Sequence, residues 1–518
     1  MYIQISKSKV KDKVYTCKMV RESYRTPAGP RSRNICNISK LPKHMQDTIE
    51  YLVKNPNKHL VPAESLGLHQ AFDFGGIAVL HDAWERFNLD MVLSDVSDPV
   101  VQGRIKAMVF SRLLFPGSKL SLKMSSASSA LAASCGLAQN DLDEDRLYEA
   151  MDALSGKWSR IEKNLYSEAF PDQVTFVLYD LTSSYFASAK NKKNAAYGYS
   201  RDHRRDRTQI ILALATNSDG IPIHIEVLKG NRSDNKTLLP LLETMKRRFG
   251  ISRAVFSFDG GMSSSFNLQQ MRDDEIDYVT RMSSSTLQAL VPQLPVENQP
   301  EIWDRTDLAE FEIDGVRYVV AGSEYRRQRD WERREARLMK GRQELEKFNE
   351  VNRKKIDVPK LTSQVGRMLE RKKCLKYFDF RIEDNGKASW TEKHEDIEKE
   401  KRLDGWYLLT TSLPAETAGK KDIFNHYRNL LAVEDAFRET KSYLKVRPIF
   451  HQKDNRVRNH IRICFLSYWM SSRLRLEWQQ KGEKREVPLL FIELQQIRIG
   501  KLKLGNEILK TVITDIPS

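Results

Sequence analysis

Two short apolar runs, each ending in an aspartate, constrain this chain more than any other feature. VTFVLYD stops at Asp180, and AVFSFD stops at Asp259 just before Gly260-Gly261. Apolar runs of this length, rich in β-branched and aromatic residues, predict buried strands. Between them, RTQIILALATNSDGIPIHIEVLKGN predicts two strands about an Asp219-Gly220 turn. In the second of these, Ile221, Ile223, Ile225 and Val227 fall on one face and Pro222, His224 and Glu226 on the other. SDNKTLLPLLETMKRRFG then predicts a helix closed by Gly250.

Three strands, a helix and a strand is not the regular alternation of a doubly wound sheet. It is the order of a ribonuclease-H-like core, so the fold class is α/β. At 518 residues the chain is long enough for several domains. The expected organisation begins with a basic β region over 1–60 and a helical DNA-binding region over 61–168. The core follows in two parts, 169–284 and 401–475, separated by an inserted subdomain over 285–400, and a tail over 476–518 stays unassigned. YIQIS, KVYTCKMVRESY and RNICNISKL alternate as short strands with outward Lys and Arg, suited either to solvent or to a phosphate backbone. IAVLHDAWERF, QGRIKAMVFSRLLF and EDRLYEAMDAL have helical periodicity, compatible with a helix-turn-helix-type module. In the insertion, EYRRQRDWERREARLMKGRQELEKFNEVNRKK predicts a long helix with a solvated charged face, and KYFDFRIEDNGKASW a hairpin. WYLLTTS should return to the core sheet.

The segment KDIFNHYRNLLAVEDAFRETKSYLK predicts a helix over about 421–445. Leu430, Val433, Phe437 and Leu444 form its apolar stripe, while Tyr427, Glu434, Arg438 and Lys441 line the edge. A carboxylate beside a buried stripe breaks the binary pattern, and such breaks tend to mark function.

Phosphodiester cleavage is served by two Mg²⁺ ions about 3.5–4 Å apart, held by carboxylates that the fold gathers from distant sequence. Asp180, Asp259 and Glu434 fit that need as catalytic and metal-ligating residues, with Mn²⁺ able to replace Mg²⁺. Three acidic groups brought together repel one another without a cation. Taken singly each has a plain structural alternative: Asp259 capping a turn, or Glu434 pairing with Lys441 or Arg438. The formal net charge of +16 points to a polyanionic partner, double-stranded DNA before a membrane surface. Five scattered cysteines form no CxxC pair, which argues against a zinc ribbon or disulfide scaffold and fits a reducing cytoplasm. Neither a signal peptide nor a membrane-spanning stretch is evident.

On these residues the chain resembles the DDE transposases of bacterial insertion sequences. The likeness is to the superfamily with a Tyr-Arg-Glu-Lys signature (the insertion sequence 4 superfamily). Tyr427, Glu434 and Lys441 fall on the signature spacing, while Leu430 stands where the family has Arg and Arg428 and Arg438 lie nearby. YDLTSSYF, GYSRDHRRDRTQI, FDGGMSS and RVRNHIRICFLSYW are similar to the 1634-type branch. The resemblance implies metal-dependent nicking at transposon ends and strand transfer into target DNA, by a homodimer at the bacterial nucleoid. It also implies that Tyr427 and Lys441 contact end DNA, a role their place beside Glu434 suits. Arg428, Arg438, Arg204, Arg205 and Arg207 are further DNA-contact candidates, the last three also explicable as a solvated loop. A nuclease or resolvase on the same core and a non-catalytic DNA-binding relative are the alternatives. Tyrosine recombinases and rolling-circle enzymes are excluded, because no His has Arg three residues later and no His-x-His occurs.

Overall fold

A computed structural model describes residues 1–10, 13–58, 65–188, 193–294, 308–351, 356–504 and 507–515. The chain divides into two compact units, Met1–Ala71 with Ile499–Ile513, and Phe72–Arg498 with Thr514–Ser518. Strands are numbered along the chain.

In the first unit, β1 (Tyr2–Val10), β2 (Lys13–Thr26) and β3 (Gly29–Asn37) form an antiparallel meander, followed by the helix Lys43–Lys54. Little of this sheet is buried apart from Val20 and Ile38, as its outward Lys and Arg require. β4 (Leu66–Asp73) lies in the stretch expected to be helical. It joins β15 (Arg498–Leu504) and β16 (Glu507–Ile513), so the unassigned tail completes a second three-stranded sheet.

The larger unit is organised by an eight-stranded sheet, ordered β10-β11-β14-β9-β8-β5-β6-β7. β5 (Phe176–Tyr185), β6 (Gln209–Thr216) and β7 (Pro222–Lys229) run as an antiparallel meander. β8 (Val255–Phe258) and β9 (Tyr278–Arg281) then add in parallel on the other side of β5. This is the ribonuclease-H-like arrangement that the order of elements predicts. The Gly220 turn has a φ of +78° and the helix before β8 ends at Gly250 with a φ of +71°, conformations that glycine adopts without strain.

Alternation along the strands sorts side chains between two cores. On β6, Ile210, Leu212 and Leu214 face one cluster and Ile211, Ala213 and Ala215 the other. The first cluster is roofed by helices Pro99–Leu114 and Asp454–Gln480. Helix Pro99–Leu114 is buried almost continuously from Ile105 to Leu114, so it serves the core and has no face free for a DNA groove, unlike a helix-turn-helix recognition helix. On β7 the face of Pro222 and His224 is covered as well, while Glu226 on the same face is exposed. His224 is buried, and Ile223 packs into the opposite core from Ile221, Ile225 and Val227.

The insertion does not stand apart from the sheet. β10 (Leu308–Ile313) and β11 (Val316–Gly322) extend it, and β14 (Trp406–Thr411) fits antiparallel between β11 and β9. Between β11 and β14, the helices Glu324–Glu350 and Val358–Arg371 pack on the hairpin β12 (Phe378–Ile382)–β13 (Ala388–Glu392) around their own core. The long charged helix buries one stripe, Arg334, Leu338, Gly341, Leu345 and Phe348, and leaves the rest solvated. Arg334 is buried there because Asp404 takes its guanidinium through two hydrogen bonds of 2.7 and 2.5 Å.

Helix Trp158–Ala169 is fastened to β7 through Glu162. Its buried carboxylate meets His224 Nδ1 at 2.9 Å and Arg248 Nη1 at 2.5 Å, and it accepts the Ile225 N–H at 3.0 Å. Burial alone would raise its pKa, but His224, the Ile225 N–H and Arg248 together hold it below the usual value. Glu162→Ala strands buried His224, the buried Ile225 N–H and half-buried Arg248, and should destabilise the fold by about 3 kcal/mol at neutral pH. A depressed carboxylate pKa stabilises above the unfolded value near 4.3 and loses that effect as pH falls through the folded one. The gap between wild type and variant in urea unfolding should therefore narrow in acid, and equal midpoints at pH 7 would refute this role.

Candidate active site

Asp180 does not end its strand. β5 continues through it to Tyr185, because Thr182, Ser183 and Ser184 are buried and LTSSY pairs fully with β6. Asp180 shares its face with Leu178, which packs in the cluster roofed by the Glu434 segment. On β8, Phe256 and Phe258 face the opposite core, so Ser257 and Asp259 lie on the Asp180 side. β5 and β8 are parallel with Tyr179 beside Phe258, and the next step of that register sets Asp180 beside Asp259. Gly260 is forced here: a Cβ would come within 2.6 Å of the Arg281 carbonyl oxygen at the end of β9.

The predicted helix over 421–445 forms in pieces. Lys420–Arg428 and Leu431–Arg438 are separate α-helices, and a wider π-turn follows over Glu439–Tyr443. Leu430, at the position where the signature has Arg, is the buried residue at the break. The stripe Leu430, Val433, Phe437 and Leu444 is buried as the periodicity requires. It presses the Leu431–Arg438 helix onto the sheet and presents Glu434 toward Asp180 and Asp259.

All three carboxylates line one cleft of about 660 Å³, together with Tyr427, Arg428, Arg438 and Lys441. The plain alternatives for the acids do not hold. Asp259 precedes a short 3₁₀ turn but makes no capping hydrogen bond. Lys441 pairs with Asp202 at 2.8 Å and Arg438 with Asp435 at 2.9 Å, so neither holds Glu434. Burial, reinforced by Asp259 and Glu434, pushes the Asp180 carboxyl up to about 7, although the Leu181 N–H and Arg201 act in the opposite sense. Glu434 is raised by burial, then by Asp259 and Asp435. Tyr427 is pushed up to about 12, first by burial and then by Asp259.

Hard oxygen donors in mutual repulsion are a donor set suited to a divalent cation. As the side chains stand, no three His, Cys, Asp or Glu groups among the described residues close on one point tightly enough to hold a metal ion. The cleft gathers the acids without completing a coordination sphere, so ligation requires side-chain movement. Asp259 and Glu434 are solvent-exposed, which leaves them free to move.

The basic candidates divide. Arg428 and Arg438 are exposed at the cleft, Arg428 stacking over Phe424. Lys441 is buried, with Asp202 as its counter-ion, and Asp202 also holds Arg447. Arg204, Arg205 and Arg207 are not in the cleft lining. Arg204 forms a two-pronged pair with Asp206, Arg207 donates to the Ala187 carbonyl, and Arg205 is exposed. Sequence reasoning missed Arg201, Asp202 and Arg447, which line the cleft. They lie in loops without periodicity, and only the GYSRDHRRDRTQI motif drew attention to the first two.

Asp180 titrates higher folded than unfolded, so the native state holds more protons between about pH 4 and 7. Stability of the metal-free protein should fall as pH rises across that window, and Asp180→Asn should flatten the dependence. Melting curves across pH test this, and an unchanged slope in Asp180→Asn would remove Asp180 as its source.

The model of the transposase DDE domain matches residues 175–470. No curated protein sequence matches the chain. Among solved structures, the chain is similar to one described as the Mos1 transposase paired-end complex with left transposon end. The identity there is 13% and the TM-score 0.16, covering 49% of this chain and 71% of that one. With the domain match running from the start of β5 into the Asp454–Gln480 helix, this chain belongs to the DDE-domain transposase family, whose members use divalent metal ions.

Proposed function

We propose that this transposase cleaves double-stranded DNA at transposon ends and joins the freed 3′ ends to target DNA, with two Mg²⁺ ions held by Asp180, Asp259 and Glu434. The observation that carries this reading is a single cleft lined by three carboxylates from distant sequence, none of them neutralised by an ion pair among the described residues. When bound, two such ions activate the attacking oxygen and stabilise the leaving one. Mn²⁺ is a fitting substitute. Asp180 would hold a cation as the carboxylate, so metal affinity should rise as pH passes through about 7.

The other cleft residues prepare the DNA. Arg428 and Arg438 offer charge to backbone phosphates, and Tyr427, neutral at physiological pH, can donate a hydrogen bond or stack. Lys441 and Arg447 act through Asp202, which fixes their position at the edge of the cleft. Tyr427, Glu434 and Lys441 support membership of the Tyr-Arg-Glu-Lys superfamily and its 1634-type branch, with Arg428 or Arg438 serving where Leu430 departs from the signature. Arg205 is the best placed of the 204–207 arginines to touch DNA, being exposed. Action on paired ends calls for a homodimer, working at the nucleoid of a bacterial cytoplasm. Among the described residues no helix is long and apolar enough to cross a membrane.

Asp180→Asn, Asp259→Asn and Glu434→Gln should each lower cleavage of an end-bearing duplex by about 10²–10³-fold or more and leave DNA binding in EDTA intact. Normal nicking by any one of them removes that residue from the site. A wild-type protein that nicks but never joins a 3′ end to a second duplex is a nuclease instead. Arg438→Ala breaks only a surface pair, so it should fold normally and reduce the salt slope of DNA binding by about one. An unchanged slope would mean that Arg438 meets no phosphate.

A further inference from the structure

Beside the cleft lies a second, smaller pocket of about 230 Å³, roofed by the segment after helix Pro99–Leu114 and floored by Pro448–His451 and the Asp454–Gln480 helix. Its charge is one-sided. Arg112, Lys119, Lys445 and Arg447 line it with His451 and His460, and no Asp or Glu does. Arg112 and Lys119 are both more than nine-tenths buried. Among the described residues the Arg112 guanidinium makes one hydrogen bond, to the Leu444 carbonyl at 3.3 Å. The Lys119 ammonium has no hydrogen-bond or ion-pair partner among the described residues. His460 Nδ1 is buried and makes no well-aligned hydrogen bond among the described residues.

The nearby acids are engaged elsewhere. Glu144 lies outside the pocket lining and offsets the Lys119 charge only in small part while accepting the Tyr148 hydroxyl at 3.4 Å, Asp152 holds Arg456 at 3.1 Å, and Asp202 holds Arg447. Burying two cations side by side without a counter-charge is costly. The cost shows in Lys119, which burial and then Arg112 push down to about 7. A fold keeps such an arrangement when an anion completes it. Arg447 lines both this pocket and the carboxylate cleft, so the two are adjacent.

We propose that this pocket binds a phosphate group of the DNA strand leaving the cleft, with Lys119 and Arg112 as its charged contacts and His460 as a hydrogen-bonding wall. The assignment of the phosphate to DNA rests on the function proposed above, whereas the anion site itself does not. A phosphate seated here would fix the strand at a point separate from the metal-ligating acids. It would also supply the counter-charge that the fold leaves out.

The test uses the full-length protein in EDTA, with inorganic phosphate and a duplex oligonucleotide as separate probes. Phosphate should raise the melting temperature of the wild type and of Lys119→Arg. Lys119→Met should melt higher than the wild type without phosphate, since a buried unpaired cation is gone, and should lose the phosphate-dependent rise. It should also bind the duplex with a salt slope lower by about one. A phosphate-dependent rise that persists in Lys119→Met, or none in the wild type, overturns the site. A rise that Lys119→Met abolishes, combined with an unchanged salt slope, overturns the DNA assignment and leaves a site for free phosphate. None of these readouts requires cleavage. A wild type that fails to cut DNA with Mg²⁺ therefore counts against the catalytic reading alone.

Discussion

Like charge held at close quarters is the constraint around which the larger unit is arranged. Asp180 is carried on a strand paired on both sides, so its backbone cannot retreat from Asp259, which directly follows the neighbouring strand. The third acid arrives on a helix pressed down by Leu430, Val433 and Phe437. Burial of apolar surface thus contributes the free energy that keeps three carboxylates near one another. The Asp180 and Glu434 carboxyls are raised by burial first and by the neighbouring acids second. Positive charge entering such a site relieves the repulsion between its acids.

The rest of the larger unit serves that placement. The Pro99–Leu114 and Asp454–Gln480 helices close the core under the site face. The buried Glu162 pair locks a further helix to the sheet edge at β7. On the other edge, β10, β11 and β14 widen the sheet before the chain returns to the acidic helix. Asp202 settles two cations at the rim of the cleft, one of which, Lys441, would otherwise be a natural partner for Glu434. Positive charge is therefore kept near the acids without cancelling them.

A good part of this was legible in the linear sequence, for physical reasons. Strand and helix periodicities report burial directly, so β5 to β8, the β12–β13 hairpin, the return at Trp406–Thr411 and the apolar stripe of the Glu434 segment could all be read. Glycine at Gly220 and Gly250 marks left-handed backbone that other residues avoid. The failures are equally physical. The alternation read along β7 does not hold, because Ile223 packs into the opposite core from Ile221, Ile225 and Val227 and a helix distant in sequence covers His224. The helix over 421–445 was expected to be continuous, but local periodicity does not register a break at Asn429–Leu430 or a π-turn. β4 was missed because its partners lie more than four hundred residues away.

What the sequence determined by itself is the set of chemically unusual residues and the elements that carry them: Asp180 and Asp259 with apolar strands, and Glu434 at the edge of an apolar stripe. Local pattern suffices for that, since the period of side-chain burial is a property of neighbouring residues. Only the tertiary structure decided which charges are free. Lys441 became the partner of Asp202, the 204–207 arginines fell outside the cleft lining, and Lys119 and Arg112 came together with no acid between them. Coulomb energy depends on distance and on exposure to water, and the order of residues along a chain fixes neither until the chain has packed.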